Sequence, residues 1–264
     1  MGDDFQGEGF VSHFTSMNSL IEFIIPDCRI RFSPLYKLND PKESKGESSM
    51  MLYSGVPGDP WRLPDNYDGL YIEHERAKRS GIKVACFSIG VDGASCWRKP
   101  RMWAQYAGNS RGACLIFDKK KLVDVARKIE GFVGAEQVYY NDSTAEGLCS
   151  FTNISCPQGD FDLYEYVFNK LRDGGDRFLF CKHFDWASES EFRVVVYQKT
   201  DDYSYLNICD SLVAVVLGCD APDIYADILL GMCNVPILKC EWDSELRCYN
   251  LCELRRNRRR HCAA

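Results

Sequence analysis

The stretch HFDWASESEFRVVV, from His183 to Val196, decides the fold prediction because an apolar run follows directly on two glutamates. The run EFRVVV is rich in β-branched and aromatic residues, which favour strands. It therefore predicts a buried strand, with Glu189 and Glu191 at its start. On an extended chain, residues two positions apart point to the same side, so the two carboxylates are expected to lie together.

Helix and strand patterns alternate on both sides of this strand without regular β-α-β spacing. Strand patterns occur at residues 82–90, 112–118 and 212–219, and helix patterns at 120–131 and 221–232. Irregular alternation of this kind favours an α+β domain with a mixed, mainly antiparallel sheet and flanking helices.

Length and composition indicate one domain. A chain of 264 residues with 45% hydrophobic and 27% charged residues can bury a substantial core. We expect a single domain over residues 1–252, containing a long irregular loop at 39–68 that is rich in Pro, Gly, Ser and Asp. Residues 253–264 are predicted to be a basic tail. The tail is expected to be solvated, with contact to phosphates or an acidic partner as the alternative.

Charge and apolar pattern restrict the possible partners. The net charge of −6 gives no overall attraction to nucleic acid or to anionic lipid. The apolar runs are too short to span a bilayer, and the first residues carry no basic apolar signal. We therefore expect a soluble, cytoplasmic protein without a membrane partner.

The fourteen cysteines are expected to be reduced. No secretory signal supports a disulfide framework, and cysteines in apolar runs behave as small hydrophobic residues. The chain contains no C-x-x-C pair, which is the usual zinc spacing. A metal site formed by Cys240, Cys248, Cys252, His261 and Cys262 is a weaker interpretation than core and tail residues.

Several motifs occur in the order found in a known family. They are RFSPLYKLNDPKES at 31–44, MWAQYAGNSRGACLIFD at 102–118, K-x-x-x-W-x-x-E-x-E-F-R at 182–193 and LVAVVLGC at 212–219. The chain resembles the bacterial domain of unknown function 2971 family on these motifs, from about residue 10 to residue 252. Lys42 departs from the family pattern, which usually has an aromatic residue after NDP.

The chain also resembles, more weakly, the mono-ADP-ribosyltransferase fold, in which three elements meet around NAD. The matching elements are His13 in SHFTS, Ser88 ending VACFS, and Glu189 with Glu191. This resemblance implies an ADP-ribosyltransferase-like fold, NAD as the substrate, and an acceptor that is either a protein or a nucleic acid. It also implies a toxin or phage-defence setting.

The resemblance implies a role for each of these side chains. Cleavage of the nicotinamide–ribose bond passes through an oxocarbenium-like cation, which Glu191 would stabilise. Glu189 would orient or deprotonate the acceptor. His13 would bind the adenosine ribose or a phosphate, and Ser88 the nicotinamide half.

Four further residues are candidates for binding NAD. Tyr106 or Trp103 would stack on the nicotinamide ring, and Arg31 or Arg193 would pair with the pyrophosphate. Three of them also have a purely structural interpretation: Tyr106 and Trp103 as packing side chains, and Arg193 as the partner of a solvated glutamate.

Two other function classes remain open. In a metal-dependent nuclease, four acidic residues would bind Mg²⁺ and a lysine would lie near the scissile phosphate. The acids would be Asp40, Glu43, Glu189 and Glu191, and the lysine Lys182 or Lys199. A non-catalytic sensor or binding module would instead recognise a nucleotide, a peptide or a phage component.

Overall fold

The structure is a computed structural model. It describes residues 5–44, 52–53, 67–76, 80–91, 93–142, 153–154, 162–172, 177–200, 202–245 and 247–254. The chain divides into two compact units. Unit 1 comprises residues 1–30, 87–122 and 207–264, and unit 2 comprises residues 31–86 and 123–206.

The strands and helices of the described residues are numbered in chain order. The strands are β1 (Phe10–Thr15), β2 (Arg29–Arg31), β3 (Ser33–Pro34), β4 (Leu52–Tyr53), β5 (Ile82–Ile89), β6 (Ala113–Asp118), β7 (Phe132–Gln137), β8 (Tyr139–Tyr140), β9 (Asn153–Ile154), β10 (Cys181–Lys182), β11 (Glu191–Tyr197), β12 (Tyr205–Asn207), β13 (Leu212–Leu217), β14 (Ile237–Asp243) and β15 (Cys248–Leu254). The helices are α1 (Met17–Ser19), α2 (Ile25–Asp27), α3 (Pro41–Ser44), α4 (Tyr67–Arg76), α5 (Pro100–Tyr106), α6 (Lys119–Ala126), α7 (Leu163–Arg172) and α8 (Ile224–Met232).

Unit 1 is built on β1 and its neighbours. β1 pairs antiparallel with β6, and β6 pairs antiparallel with β13. β13 pairs parallel with β14, and β14 pairs antiparallel with β15. The other edge of β1 pairs with the end of β5, where Ser12 lies opposite Ser88. One face of these strands is covered by a core that includes Phe14, Trp97 and Trp103.

Unit 2 is built on β11, whose seven residues are all buried. β11 pairs antiparallel with β7, β3 pairs antiparallel with the first half of β5, and β8 pairs parallel with β10. The core of this unit includes Ile82, Val167, Leu179 and Val195. Apolar residues of β5, β11 and α7 thus meet in one core.

Gly131 fixes the end of β11 at a position where only glycine fits. Its φ is +78°, and its carbonyl accepts a hydrogen bond from the N–H of Tyr197 at 2.7 Å. A Cβ at this position would lie 1.8 Å from the Tyr197 carbonyl oxygen. The close backbone approach therefore excludes any side chain at position 131.

The α+β class with a mainly antiparallel sheet and flanking helices is confirmed. Six of the described pairings are antiparallel, while β13–β14, β8–β10 and β4–β9 are parallel. The buried strand predicted from EFRVVV is β11. In the part of the chain that the structure describes, no helix has both the length and the apolar character needed to cross a membrane.

The structure describes only part of the predicted loop at 39–68 and of the predicted tail at 253–264. Of the predicted loop 39–68, the structure describes α3, β4 and the first residues of α4, while 45–51 and 54–66 lie outside the described residues. β15 extends to Leu254, one residue past the predicted start of the tail at 253. Residues 255–264 lie outside the described residues. The single domain over 1–252 stays a prediction.

Candidate functional site

Five charged side chains of unit 2 form one buried network, which we call the charged cluster. Its members are Lys182, Glu189, Glu191, Arg193 and Glu43, and none of their side chains is more than 6% exposed. Burying charges costs free energy unless they are paired and hydrogen-bonded. The pairing within the cluster therefore determines whether these groups stay ionised.

Lys182 is ion-paired with both carboxylates of the E-x-E motif. It is the last residue of β10, where it lies opposite Tyr140 of β8. Its Nζ lies 2.7 Å from Glu189 Oε2 and 2.8 Å from Glu191 Oε2. The Trp186 ring covers the same ammonium group, with its centroid 5.1 Å away. One lysine thus holds both carboxylates.

The backbone between the two glutamates is not extended, and that part of the prediction is wrong. Glu189 ends a 3₁₀ helix, Phe184–Glu189, and Ser190 adopts the left-handed conformation with φ 44° and ψ 60°. Glu191 then begins β11. The reversal at Ser190, and not strand alternation, brings the two carboxylates to Lys182.

Arg193 joins β11 to α3. Its Nε donates to Glu191 Oε1 at 2.8 Å, because residues two apart on a strand share a face. Its Nη1 donates to the Leu179 carbonyl at 2.6 Å and also to Glu43 Oε1. Glu43 lies on the four-residue helix α3, so the guanidinium links a distant segment of unit 2 to the start of β11.

Three buried atoms of the charged cluster have no hydrogen-bond partner among the described residues. They are Arg193 Nη2, Glu43 Oε2 and Glu191 Oε2. Glu191 Oε2 is ion-paired with Lys182, at angles outside hydrogen-bond geometry. Arg193 Nη2 and Glu43 Oε2 are therefore one donor and one acceptor available to a group that can both accept and donate, such as a hydroxyl.

Burial and the neighbouring charges shift the pKa of three members of the charged cluster in different directions. Burial alone would raise the pKa of Glu191, but Arg193 and Lys182 outweigh it and lower that pKa to about 2. Burial would lower the pKa of Lys182, and the carboxylates of Glu191 and Glu189 raise it instead. The pKa of Glu43 is raised, because burial outweighs the attraction of Arg193. Glu191 is therefore a fixed, ionised carboxylate at neutral pH.

Two side chains that the sequence did not single out contact Glu191. The Tyr140 hydroxyl accepts a hydrogen bond from the Glu191 N–H at 2.8 Å, and burial raises its pKa to about 12, so the phenol stays neutral. The Cys86 thiol hydrogen-bonds the Glu191 carboxylate, and its pKa is raised by burial and then by that carboxylate. Cys86 could have been found from the sequence, because it lies two positions before the candidate Ser88 in VACFS. Residues two apart on a strand share a face.

Of the acids and lysines of the nuclease alternative, the charged cluster contains Glu43, Glu189, Glu191 and Lys182 but not Asp40 or Lys199. Asp40 is buried, and its Oδ2 accepts from the backbone N–H of His183 at 3.1 Å. Lys199 is exposed and pairs with Asp162 at 3.1 Å. Arg31, a candidate for binding pyrophosphate, is also exposed, and its guanidinium lies 4.7 Å from the Tyr203 ring. Of the two candidate lysines, Lys182 is the one that joins the charged cluster.

The carboxylates considered as metal ligands at positions 43, 189 and 191 are ion-paired with Lys182 or Arg193. Among the residues that the structure describes, no group of three or more His, Cys, Asp or Glu side chains could hold a metal ion. At the C-terminus, Cys240 is buried on β14, and Cys248 and Cys252 lie on β15. His261 and Cys262 lie outside the described residues.

His13 and Ser88 belong to unit 1. His13 is half-buried on β1, with its ring 5.9 Å from the ring of Phe87. Ser88 is buried on β5, and its Oγ has no hydrogen-bond partner among the described residues. Glu191 belongs to unit 2, and convergence of these three residues on one ligand stays a prediction.

The two aromatic candidates also lie in unit 1, on α5. Trp103 is 1% exposed, and its Nε1 donates to the Trp97 carbonyl at 2.9 Å. Tyr106 is half-buried, and its hydroxyl accepts from Gln105 Nε2 at 3.3 Å. Trp103 is thus a core side chain in this structure. Stacking of either ring on nicotinamide stays a prediction.

Comparison with known proteins agrees with the family resemblance over part of the chain. Residues 102–194 match the model of a family described as "Protein of unknown function (DUF2971)". The resemblance is confirmed over this segment, which contains four members of the charged cluster and leaves out Glu43. No curated protein and no solved structure matches the chain.

Proposed function

We propose that this protein is an NAD-using, ADP-ribosyltransferase-like enzyme in which Glu191 stabilises the ribosyl cation. The observation that carries the proposal is the buried Glu191 carboxylate, which lies 2.8 Å from Arg193 Nε and 2.8 Å from Lys182 Nζ. Such a group keeps its charge and its position without help from solvent. Preorganised charge of this kind is the largest single contribution in many enzymes.

The proposed reaction begins with cleavage of the bond between nicotinamide and ribose. Positive charge develops on the ribose as nicotinamide leaves, as it does on the sugar in glycoside hydrolysis. Glu191 keeps its negative charge within the charged cluster, because Arg193 and Lys182 lower its pKa to about 2. A fixed negative charge stabilises a cation beside it.

The free hydrogen-bonding atoms of the cluster suit a sugar. A ribose hydroxyl can donate to Glu43 Oε2 and accept from Arg193 Nη2, the two atoms of the cluster that have neither a hydrogen bond nor an ion pair among the described residues. This complementarity supports a role for Arg193 at a ribose hydroxyl, rather than the pyrophosphate role expected for it, because Glu191 and Glu43 already neutralise its guanidinium.

The remaining roles belong to the same proposal. Glu189 orients or deprotonates the acceptor, which is a protein or nucleic-acid group. His13 and Ser88 bind the two halves of NAD, with Tyr106 as the stacking ring. The setting is that of a bacterial toxin or phage-defence effector.

The nuclease alternative is less favoured, because each carboxylate of the cluster contacts Lys182 or Arg193. A metal ion would have to displace these cations. No contact in the structure favours a non-catalytic sensor over an enzyme.

The proposal is tested by measuring nicotinamide release from NAD in the presence of EDTA. We expect the wild-type protein to release nicotinamide, and Glu191→Gln to lower the rate at least about 100-fold. Glu136→Gln is the matched control, since Glu136 is exposed on β7 directly opposite Arg193. Its rate should stay within about twofold of wild type.

Two results would overturn the proposal. One is a Glu191→Gln variant that folds and keeps the wild-type rate. The other is a wild-type protein that neither releases nicotinamide nor binds NAD in a calorimetric titration. The titration uses the wild-type chain, so it decides the matter even if Glu191→Gln does not fold.

A further inference from the structure

Two cysteines of unit 1 lie side by side although 181 positions separate them in the chain. The Cys28 carbonyl accepts a hydrogen bond from the N–H of Ile208 at 3.0 Å. Cys209 Sγ lies 4.0 Å from the same carbonyl oxygen, and the two thiols are in hydrogen-bond contact with each other. Thiols in contact on hydrogen-bonded backbone segments meet the first requirement for a disulfide, which is proximity.

The two cysteines differ in their access to solvent. Cys209 is the exposed cysteine among the described residues, and Cys28 is half-buried. Cys209 lies in a turn held by its own N–H, which donates to Asn207 Oδ1 at 3.0 Å, and by Ser211, whose N–H donates to the Ile208 carbonyl. A small oxidant in solution therefore reaches Cys209 first.

Cys28 is protected from direct attack. Burial and the contact with Cys209 raise the pKa of its thiol to about 12. Because the thiolate is the reactive form of cysteine, Cys28 reacts slowly with an oxidant from solution. It stays positioned to react with an oxidised Cys209.

We propose that Cys28 and Cys209 form a reversible disulfide when the protein meets a peroxide. In the first step, the Cys209 sulfur attacks one peroxide oxygen, the O–O bond breaks, and Cys209 sulfenic acid and water form from hydrogen peroxide. In the second step, the Cys28 sulfur attacks the Cys209 sulfur. The S–S bond forms, the S–OH bond breaks, and the leaving hydroxide takes the Cys28 proton as water. A dithiol reductant reverses the reaction by exchange.

A third cysteine provides the matched control. Cys233 also lies close enough to Cys28 to affect its pKa, and it is half-buried. Its thiol is not in the hydrogen-bond contact that joins Cys28 and Cys209. The disulfide should therefore be specific to the pair 28–209.

The disulfide is tested by treating the reduced protein with hydrogen peroxide, alkylating the remaining thiols, and mapping peptides by mass spectrometry. We expect a linked peptide pair containing Cys28 and Cys209 that dithiothreitol removes. The Cys209→Ser variant should give no link to Cys28, and Cys233→Ser should give the wild-type map. Because the link closes a long loop, the oxidised protein should melt roughly 5 °C or more above the reduced protein.

Three results would overturn the proposal: a link between Cys28 and Cys233, a link between two chains through Cys209, or Cys209 oxidised beyond the sulfenic acid with Cys28 unlinked. The wild-type map decides among these outcomes even if a variant does not fold. The experiment uses no NAD, so its result is independent of the proposed function.

Discussion

Glu191 and Arg193 lie two positions apart on β11, and Arg193 Nε donates to Glu191 Oε1 at 2.8 Å. The same guanidinium contacts Glu43 of α3, while Lys182 holds the other oxygen of Glu191. The carboxylate is thus fixed from both sides. Each charge in the cluster depends on a neighbour to stay ionised while buried.

Replacing Arg193 with methionine should strongly destabilise the protein. Arg193→Met leaves the Glu43 and Glu191 side chains buried without their guanidinium, and breaking a buried pair in this way costs about 3–5 kcal/mol. Urea unfolding followed by circular dichroism measures the free energy of unfolding. Arg127→Met is the control, because the Arg127 side chain is 64% exposed, and it should change the value by no more than about 0.5 kcal/mol. Equal effects of the two variants would mean that the network does not stabilise the fold.

The stability contributed by Glu191 should disappear at acid pH. Its pKa is depressed from 4.5 to about 2, so its contribution is fully present above about pH 4.5 and is lost as the pH falls towards 2. The shift corresponds to about 3 kcal/mol. Glu43 acts in the opposite direction, because its raised pKa gives stability below its ordinary pKa that is lost as the pH rises.

Comparison with Glu191→Gln isolates the contribution of Glu191. The free energy of unfolding of wild type should exceed that of Glu191→Gln at pH 7, and the difference should shrink as the pH falls from about 5 to about 2. The same measurement on Glu136→Gln, at an exposed position of β7, is the control for the charge change itself. A difference for Glu191→Gln that does not change with pH would show that the carboxylate is not held ionised.

Substitutions at Ser190 should change the free energy of unfolding according to how well the new residue adopts the left-handed conformation. At φ 44°, a β-branched residue is strained, and Ser190→Val should lower the free energy of unfolding by about 1–2 kcal/mol. Glycine adopts this conformation freely, so Ser190→Gly should change the value by less than about 1 kcal/mol. Urea unfolding of the two variants gives the comparison. If valine is tolerated as well as glycine, the residue is not left-handed in the folded protein.

Local sequence was sufficient to predict β11. The run EFRVVV has strand preference at four of its six positions, Phe192 and the three valines, and its burial follows from the same apolar residues. The position of Glu191 at the start of this strand was also predicted, while its role in a site came only from the resemblance to the ADP-ribosyltransferase fold. The strand and its start need only interactions between residues near one another in the chain.

Local sequence was not sufficient to predict how the carboxylates are held. Serine has little preference for the left-handed conformation, so the turn at Ser190 leaves no clear pattern. Tyr140, which accepts from the Glu191 N–H, lies 51 positions away. No local pattern indicates that partner.

The sequence by itself determined the α+β class, the buried strand at 191–197 and the presence of acidic residues at its start, because backbone preference and apolar pattern act over a few residues. The tertiary structure alone decided that Lys182 binds both glutamates and that Arg193 reaches Glu43, 150 positions away. Burial is the physical reason. A buried charge must pair with an opposite charge that lies close to it in the fold. Which residue supplies that charge depends on the packing of distant segments.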